Sequence, residues 1–192
     1  MLIRRSVAAG AIIALVAVVN LIAGGLAGAA LFSAGLLLIC VLGANLFTGK
    51  VSGLVTKDQS VKDLLVMLVF NFVGVVLVCC SLWFSPKSAV LESAAKAVTA
   101  ARVSAGLLKN GIASVWCGVW VWLGVTGYKK TSQPLVVMMP VLVFVASGLP
   151  HCIADAAYVL LAKDFAAALQ ILPVILGNSL GACLFAWLFK EK

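Results

Sequence analysis

The residues best suited to chemistry lie in S147-G-L-P-H-C-I-A-D-A-A-Y158, inside an otherwise apolar run from Leu135 to Ala162. His151 is the chain's single histidine, and Asp155 follows four residues later. An imidazole can donate a hydrogen bond or a proton near neutral pH. Asp155 falls on the same helical face as His151 if helix resumes after Pro150; otherwise it partners a basic group near the membrane exit. An ionisable residue inside an apolar run is costly and is by default a functional-site candidate. A second interruption, G43-A-N-L-F-T-G49, brings Thr48 into an equally apolar run.

These residues need elements to hold them, and composition says which kind. Of 192 residues 64% are hydrophobic and 10% charged, with a mean hydropathy of +1.21, against roughly a quarter charged in soluble domains. Runs of about 20 apolar residues suit helices crossing a hydrocarbon core roughly 30 Å thick. Six are expected, at about Ser6–Ala23, Leu26–Phe47, Leu64–Phe84, Val103–Gly127, Leu135–Ala162 and Phe165–Phe189. They fill residues 1–192 as a single transmembrane domain. Between the third and fourth lies a short polar stretch, Ser81–Ala101.

The formal charge of +8 does not point to nucleic acid, because its placement follows the membrane. Arg4, Arg5, Lys50, Lys57, Lys62, Lys129, Lys130, Lys190 and Lys192 fall on one side, and Lys87, Lys96 and Lys163 on the other. The positive-inside rule then puts both termini in the cytoplasm. The run after Arg4-Arg5 is longer than the usual ~7–15-residue signal-peptide core and reads as a span. Cys40, Cys79, Cys80, Cys117, Cys152 and Cys183 form no CxxC pair and read as small packing residues, neither disulfide framework nor metal site. Arg102 and Lys109, seven residues apart, are expected on one face of span four, and Trp116, Trp120 and Trp122 in packing or protomer contacts.

Each half carries the same order of features. Span three contains N71-F-V-G74 and span six N178-S-L-G181, while spans two and five are the interrupted ones. Three spans per half force the halves into opposite orientations, an inverted repeat of about 1–84 and 103–192 such as many transporters use. Asn71 and Asn178 are expected to hydrogen-bond the broken backbones, with Gly74 and Gly181 allowing close packing. Proline lacks a donor, and backbone freed from its helix cannot face lipid, so both breaks should line a path enclosed by protein.

At these residues the sequence resembles the formate/nitrite transporter family of formate, nitrite and hydrosulfide channels. The carrying motifs are S33-A-G-L-L-L-I-C-V-L-G-A-N-L-F-T-G49, M139-P-V-L-V-F-V-A-S-G-L-P-H-C-I-A-D155 and L172-P-V-I-L-G-N-S-L-G-A182, with N110-G-I-A-S-V-W-C-G-V-W-V-W122 a looser match. The resemblance implies a homopentamer with an aquaporin-like pore in each protomer, carrying small monovalent anions or their conjugate acids across the cell membrane. It makes His151 the pore histidine and puts Leu46, Phe47 and Thr48 in the loop that breaks the second helix. Phe32 and Phe144 match the outer constriction, Leu36 and Phe47 the inner one, and Lys96 the vestibule lysine. Four positions depart from the family pattern. Leu149-Pro150 replaces Phe-Glu, Asp155 stands for an asparagine, and Ser114 occupies the place of an asparagine offered to the histidine network.

A bare anion loses several kcal/mol on entering a low-dielectric constriction, which a neutral acid avoids. His151 is therefore expected to protonate the anion or donate a hydrogen bond to it, with Thr48 orienting ring or substrate, and with Lys96 outside and Lys50 inside concentrating the anion. Passive and proton-linked transport both fit. A neutral-solute pore of the aquaporin type would carry paired Asn-Pro-Ala loops, which are missing. A membrane-embedded enzyme would need paired carboxylates, HExxH or a nucleotide-binding signature, and none is present. No cofactor is expected.

Overall fold

The computed structural model describes residues 1–190, and over them the fold is helical with no strand. Lys192, counted above on the inner side, lies outside the described residues. In order the helices are α1 Leu2–Ala23, α2 Gly25–Val41, α3 Phe47–Lys50, α4 Gly53–Thr56, α5 Val61–Leu82, α6 Ser88–Thr131, α7 Pro134–Ala146 and α8 Cys152–Ala162. A 3-10 turn at Phe165–Gln170 then leads into α9, Ile171–Leu188. The helices α1 and α5, at 22 residues each, are about 33 Å long, enough to cross a hydrocarbon core. The apolar runs at Leu26–Phe47 and Leu135–Ala162 are both split, into α2 with α3 and into α7 with α8.

The short polar stretch Ser81–Ala101 is mostly helix. From Ser88 to Ala105 the chain has seven alanines and neither proline nor glycine, and alanine is the strongest helix former. That helix and the fourth span join in α6, 44 residues long and broken at Gly106, where φ 82° and ψ 166° suit glycine almost alone. Across the break the Asn110 amide donates to the Arg102 carbonyl at 2.6 Å. It also separates Arg102 from Lys109, which therefore do not share one continuous helix face. The segment Ser88–Ala105 is tied down by Glu92, which accepts from Lys163 at 2.8 Å and from Lys96 at 2.7 Å. The Lys163 and then the Lys96 hydrogen bonds hold the Glu92 carboxyl at about 2.

Glycine sets the packing of two helix pairs. A Cβ on Gly10 in α1 would land on the Asn71 carbonyl of α5, and one on Gly74 would land on the Val7 carbonyl. The pair α6 and α9 repeats this, with Gly118 against the Asn178 carbonyl and Gly181 against the Val115 carbonyl. Small residues let backbones approach where lipid supplies no hydrophobic force between helices.

Candidate functional site

Both interruptions are built the same way. After α2, Gly43 adopts φ 61°, and Ala44 N–H reaches back to the Ile39 carbonyl at 2.9 Å. After α7, Gly148 adopts φ 67°, and Leu149 N–H reaches the Phe144 carbonyl at 3.0 Å. Each is a Schellman stop, which uses a left-handed glycine to satisfy the last carbonyls. The chain then runs extended through Leu46 and His151, the residues that open α3 and α8.

The two asparagines close the rest of the exposed backbone. Asn71 Oδ1 accepts from Phe47 N–H at 2.8 Å, while its amide donates to the Asn45 carbonyl at 2.9 Å and to Ser6 at 2.7 Å. Asn178 Oδ1 accepts from Cys152 N–H at 3.0 Å, and its amide donates to the Pro150 carbonyl at 3.1 Å and to Ser114 at 2.9 Å. Both side chains are fully buried, where an unpaired backbone group is expensive.

His151 is fixed at both ring nitrogens. Nδ1 accepts from Ala154 N–H at 3.3 Å, capping α8, and Nε2 lies 2.9 Å from Thr48 Oγ1. An accepting Nδ1 carries no proton, so the neutral ring holds its proton on Nε2 and donates it to Thr48. The Thr48 hydroxyl hydrogen then remains available to a third group. His151 stacks on Phe144 at 5.9 Å between centroids, and Phe144 meets Phe32 edge-on at 6.3 Å.

Two cavities border this region. The first, about 170 Å³, is lined by Phe32, Phe144 and His151 together with Arg102, Asp155, Tyr158 and Asn20. The second, also about 170 Å³, is lined by Leu36, Leu46, Gly49, Lys50, Tyr128 and Lys129 among others. Phe32 lines the first and Leu36 the second, and the two residues are one turn apart on α2, a rise of about 6 Å. Lys50, Lys129, Lys130 and Lys190 also surround a neighbouring space at the second end.

Several expected site residues are elsewhere. Lys96 does not line the first cavity; it projects outward, 58% exposed, paired with Glu92 one turn back. The cation in that cavity is Arg102, whose Nε lies 3.4 Å from Asp155 Oδ2. Asp155 is thus the partner of a basic group. Ser114 makes no bond to His151: its hydroxyl donates to Gly111 of its own helix at 2.7 Å, and Gly177 packs against it. Phe47 is buried but lines neither cavity, and Leu46 stands beside Leu36 instead. Arg102, Tyr158 and Asn20 were not singled out for the cavity, although Arg102 is the one arginine beyond the amino-terminal pair. The sequence carries a further matched signal: S6-V-A-A-G10 and S114-V-W-C-G118 supply the carbonyls and glycines that receive Asn71 and Asn178.

Fold and site define a multi-pass, all-helical membrane protein with two helices opened at matching places around a buried histidine. Residues 1–190 match the family described as Formate/nitrite transporter, and the chain belongs to it. Among curated relatives, the formate channel FocA of Haemophilus influenzae is 29% identical over 149 residues, covering 68% of this chain and 51% of that protein. FocA of Escherichia coli K12 is 32% identical over 146 residues, with the same coverage. The uncharacterized transporter YrhG of Bacillus subtilis is 28% identical over 188 residues, 85% of this chain and 69% of YrhG. The chain spans about half the length of the FocA relatives it matches. A solved structure described as a pentameric formate channel with formate bound superposes with a TM-score of 0.81 at 22% identity, over 96% of this chain and 92% of that one.

Proposed function

We propose that the chain is a channel for small monovalent anions, formate, nitrite or hydrosulfide, or for their conjugate acids, moving passively or with a proton. The observation that carries this reading is the buried His151–Thr48 hydrogen bond, with His151 in the lining of one cavity and Leu46 and Gly49, beside Thr48 in the chain, in the lining of another. An anion passing the Phe32–Phe144 pair loses water, and the penalty falls if a proton or hydrogen bond is supplied at that point. The Thr48 hydroxyl donates directly, and the neutral His151, donating its Nε2–H to the Thr48 oxygen, strengthens that hydroxyl as a donor, while proton transfer to the anion requires the ring first to take a second proton. The matched bonds of Asn71 and Asn178 favour two inverted three-helix repeats in an aquaporin-like arrangement. Lysines around the second cavity favour that end, and both termini, as cytoplasmic in a cell membrane. By analogy with the structural relative, the working unit is a homopentamer with one pore per protomer.

Stopped-flow flux in proteoliposomes over a pH series, with formate, nitrite, hydrosulfide and chloride, tests the reading. Selective flux that His151→Ala abolishes or reshapes supports it. No flux of any anion, or equal flux in parent and variant, removes it.

A further inference from the structure

The first cavity contains a charge pair that the His151–Thr48 centre does not use. Arg102 and Asp155 are largely buried, at 19% and 8% side-chain exposure, and such a pair must answer for its desolvation. Its geometry is loose. Nε and Nη2 both reach Asp155 Oδ1 at 3.4 Å, where charge-assisted bonds are ordinarily about 2.7–2.9 Å. The stronger contact is from Nη1 to the Gly148 carbonyl, at 2.8 Å, which fixes the guanidinium against the break before His151.

Donors are left over. A guanidinium has five N–H groups, and Asp155 and Gly148 occupy three, so each terminal nitrogen keeps one without an acceptor among the described residues. Tyr158 lines the same cavity one turn beyond Asp155. Its oxygen accepts from Asn20 Nδ2 at 3.1 Å, and its own hydrogen has no acceptor among the described residues.

Resting on the channel reading, we propose that Arg102 and Tyr158 form an entry site for planar anions with two coplanar oxygens, the chemistry of formate and nitrite. Asp155 is the internal competitor that returns Arg102 and releases the ion. A guanidinium fork matches two coplanar oxygens bidentately, whereas chloride and the single sulfur of hydrosulfide offer one acceptor atom. A conducting site must also let go, and a carboxylate already in reach of the guanidinium lowers the cost of doing so.

The test is flux against concentration in proteoliposomes for the full chain, Arg102→Lys and Asp155→Asn. Arg102→Lys keeps the charge and loses the fork, so half-saturating formate and nitrite should rise about tenfold, the worth of one charge-assisted contact, with chloride and hydrosulfide shifted less than about twofold. Asp155→Asn should lower half-saturating formate and nitrite and also lower the maximal rate, a split that general loosening of the fold does not produce. If Arg102→Lys fails to fold, calorimetric titration of formate into detergent-solubilised Asp155→Asn and parent decides: tighter binding in the variant supports the site, and equal or weaker binding overturns it. A shift shared by all four anions, or none, overturns the entry site while His151-dependent flux in the parent keeps the channel. Absence of flux in the parent removes both.

Discussion

At the residue scale, His151 has no freedom to choose its tautomer, because the Ala154 amide occupies Nδ1 and leaves Nε2 to face Thr48. Thr48→Val should strand a buried donor, costing about 1–3 kcal/mol, and should cut anion flux, while Thr48→Ser restores both. Thermal unfolding in detergent beside proteoliposome flux reads the two effects. Asn71→Ala and Asn178→Ala each abandon the two backbone groups at a break, the Ser6 and Ser114 carbonyls lying within continuous helix, so each should cost at least about 2 kcal/mol, measurable as a lowered unfolding midpoint. The histidine, the threonine and the two asparagines stood out in the sequence because a polar side chain in an apolar run is conspicuous. The Arg102–Asp155 pair did not, since 53 residues separate its members and no local pattern joins them. Ser114 misled for a different reason: a serine hydroxyl can satisfy itself on its own helix, and here it does.

At the scale of elements, the glycines fall into two kinds with different consequences. Around Gly148 there is open space but a left-handed backbone, φ 67°. Gly148→Ala should therefore cost about 1–2 kcal/mol of strain and leave the bundle assembled. Gly118 is helical and touches the Asn178 backbone, so Gly118→Ala must push α6 from α9. Size-exclusion chromatography should show the first variant monodisperse and the second aggregated. Both breaks were legible, because glycine and proline interrupt a hydrophobic run visibly. The helix from Ser88 was not, because its serines, lysines and glutamate marked it only as a polar stretch between spans while its alanines carried the helical preference. Glu92 fastens that helix with a carboxyl lowered from 4.5 to about 2. A depressed carboxyl contributes fully above its ordinary value and loses the contribution as pH falls through its folded one. A distance label between the Ser88–Ala105 segment and α8 should stay constant from neutral pH to about 5 and lengthen only near pH 2, whereas Glu92→Gln should lengthen it throughout.

At the scale of the molecule, large apolar side chains such as Leu26, Leu108, Leu176 and Trp187 remain more than half exposed on the single chain, more than a soluble surface tolerates. Native mass spectrometry from mild detergent should give the mass of five chains if part of this surface joins protomers. The apolar helices and the breaks were readable because lipid imposes length and polarity rules on a sequence; contacts between chains obey no such rule. The asparagine brackets carry one last consequence, for isotope exchange. Amides that begin a helix ordinarily swap their hydrogens for deuterium first, since no carbonyl receives them. Phe47 and Cys152 begin α3 and α8, yet their amides are received by Asn71 and Asn178 in the buried interior. Each bracket joins three separate elements, so these two hydrogens will be among the last to leave, and their rate will time the opening of the whole bundle.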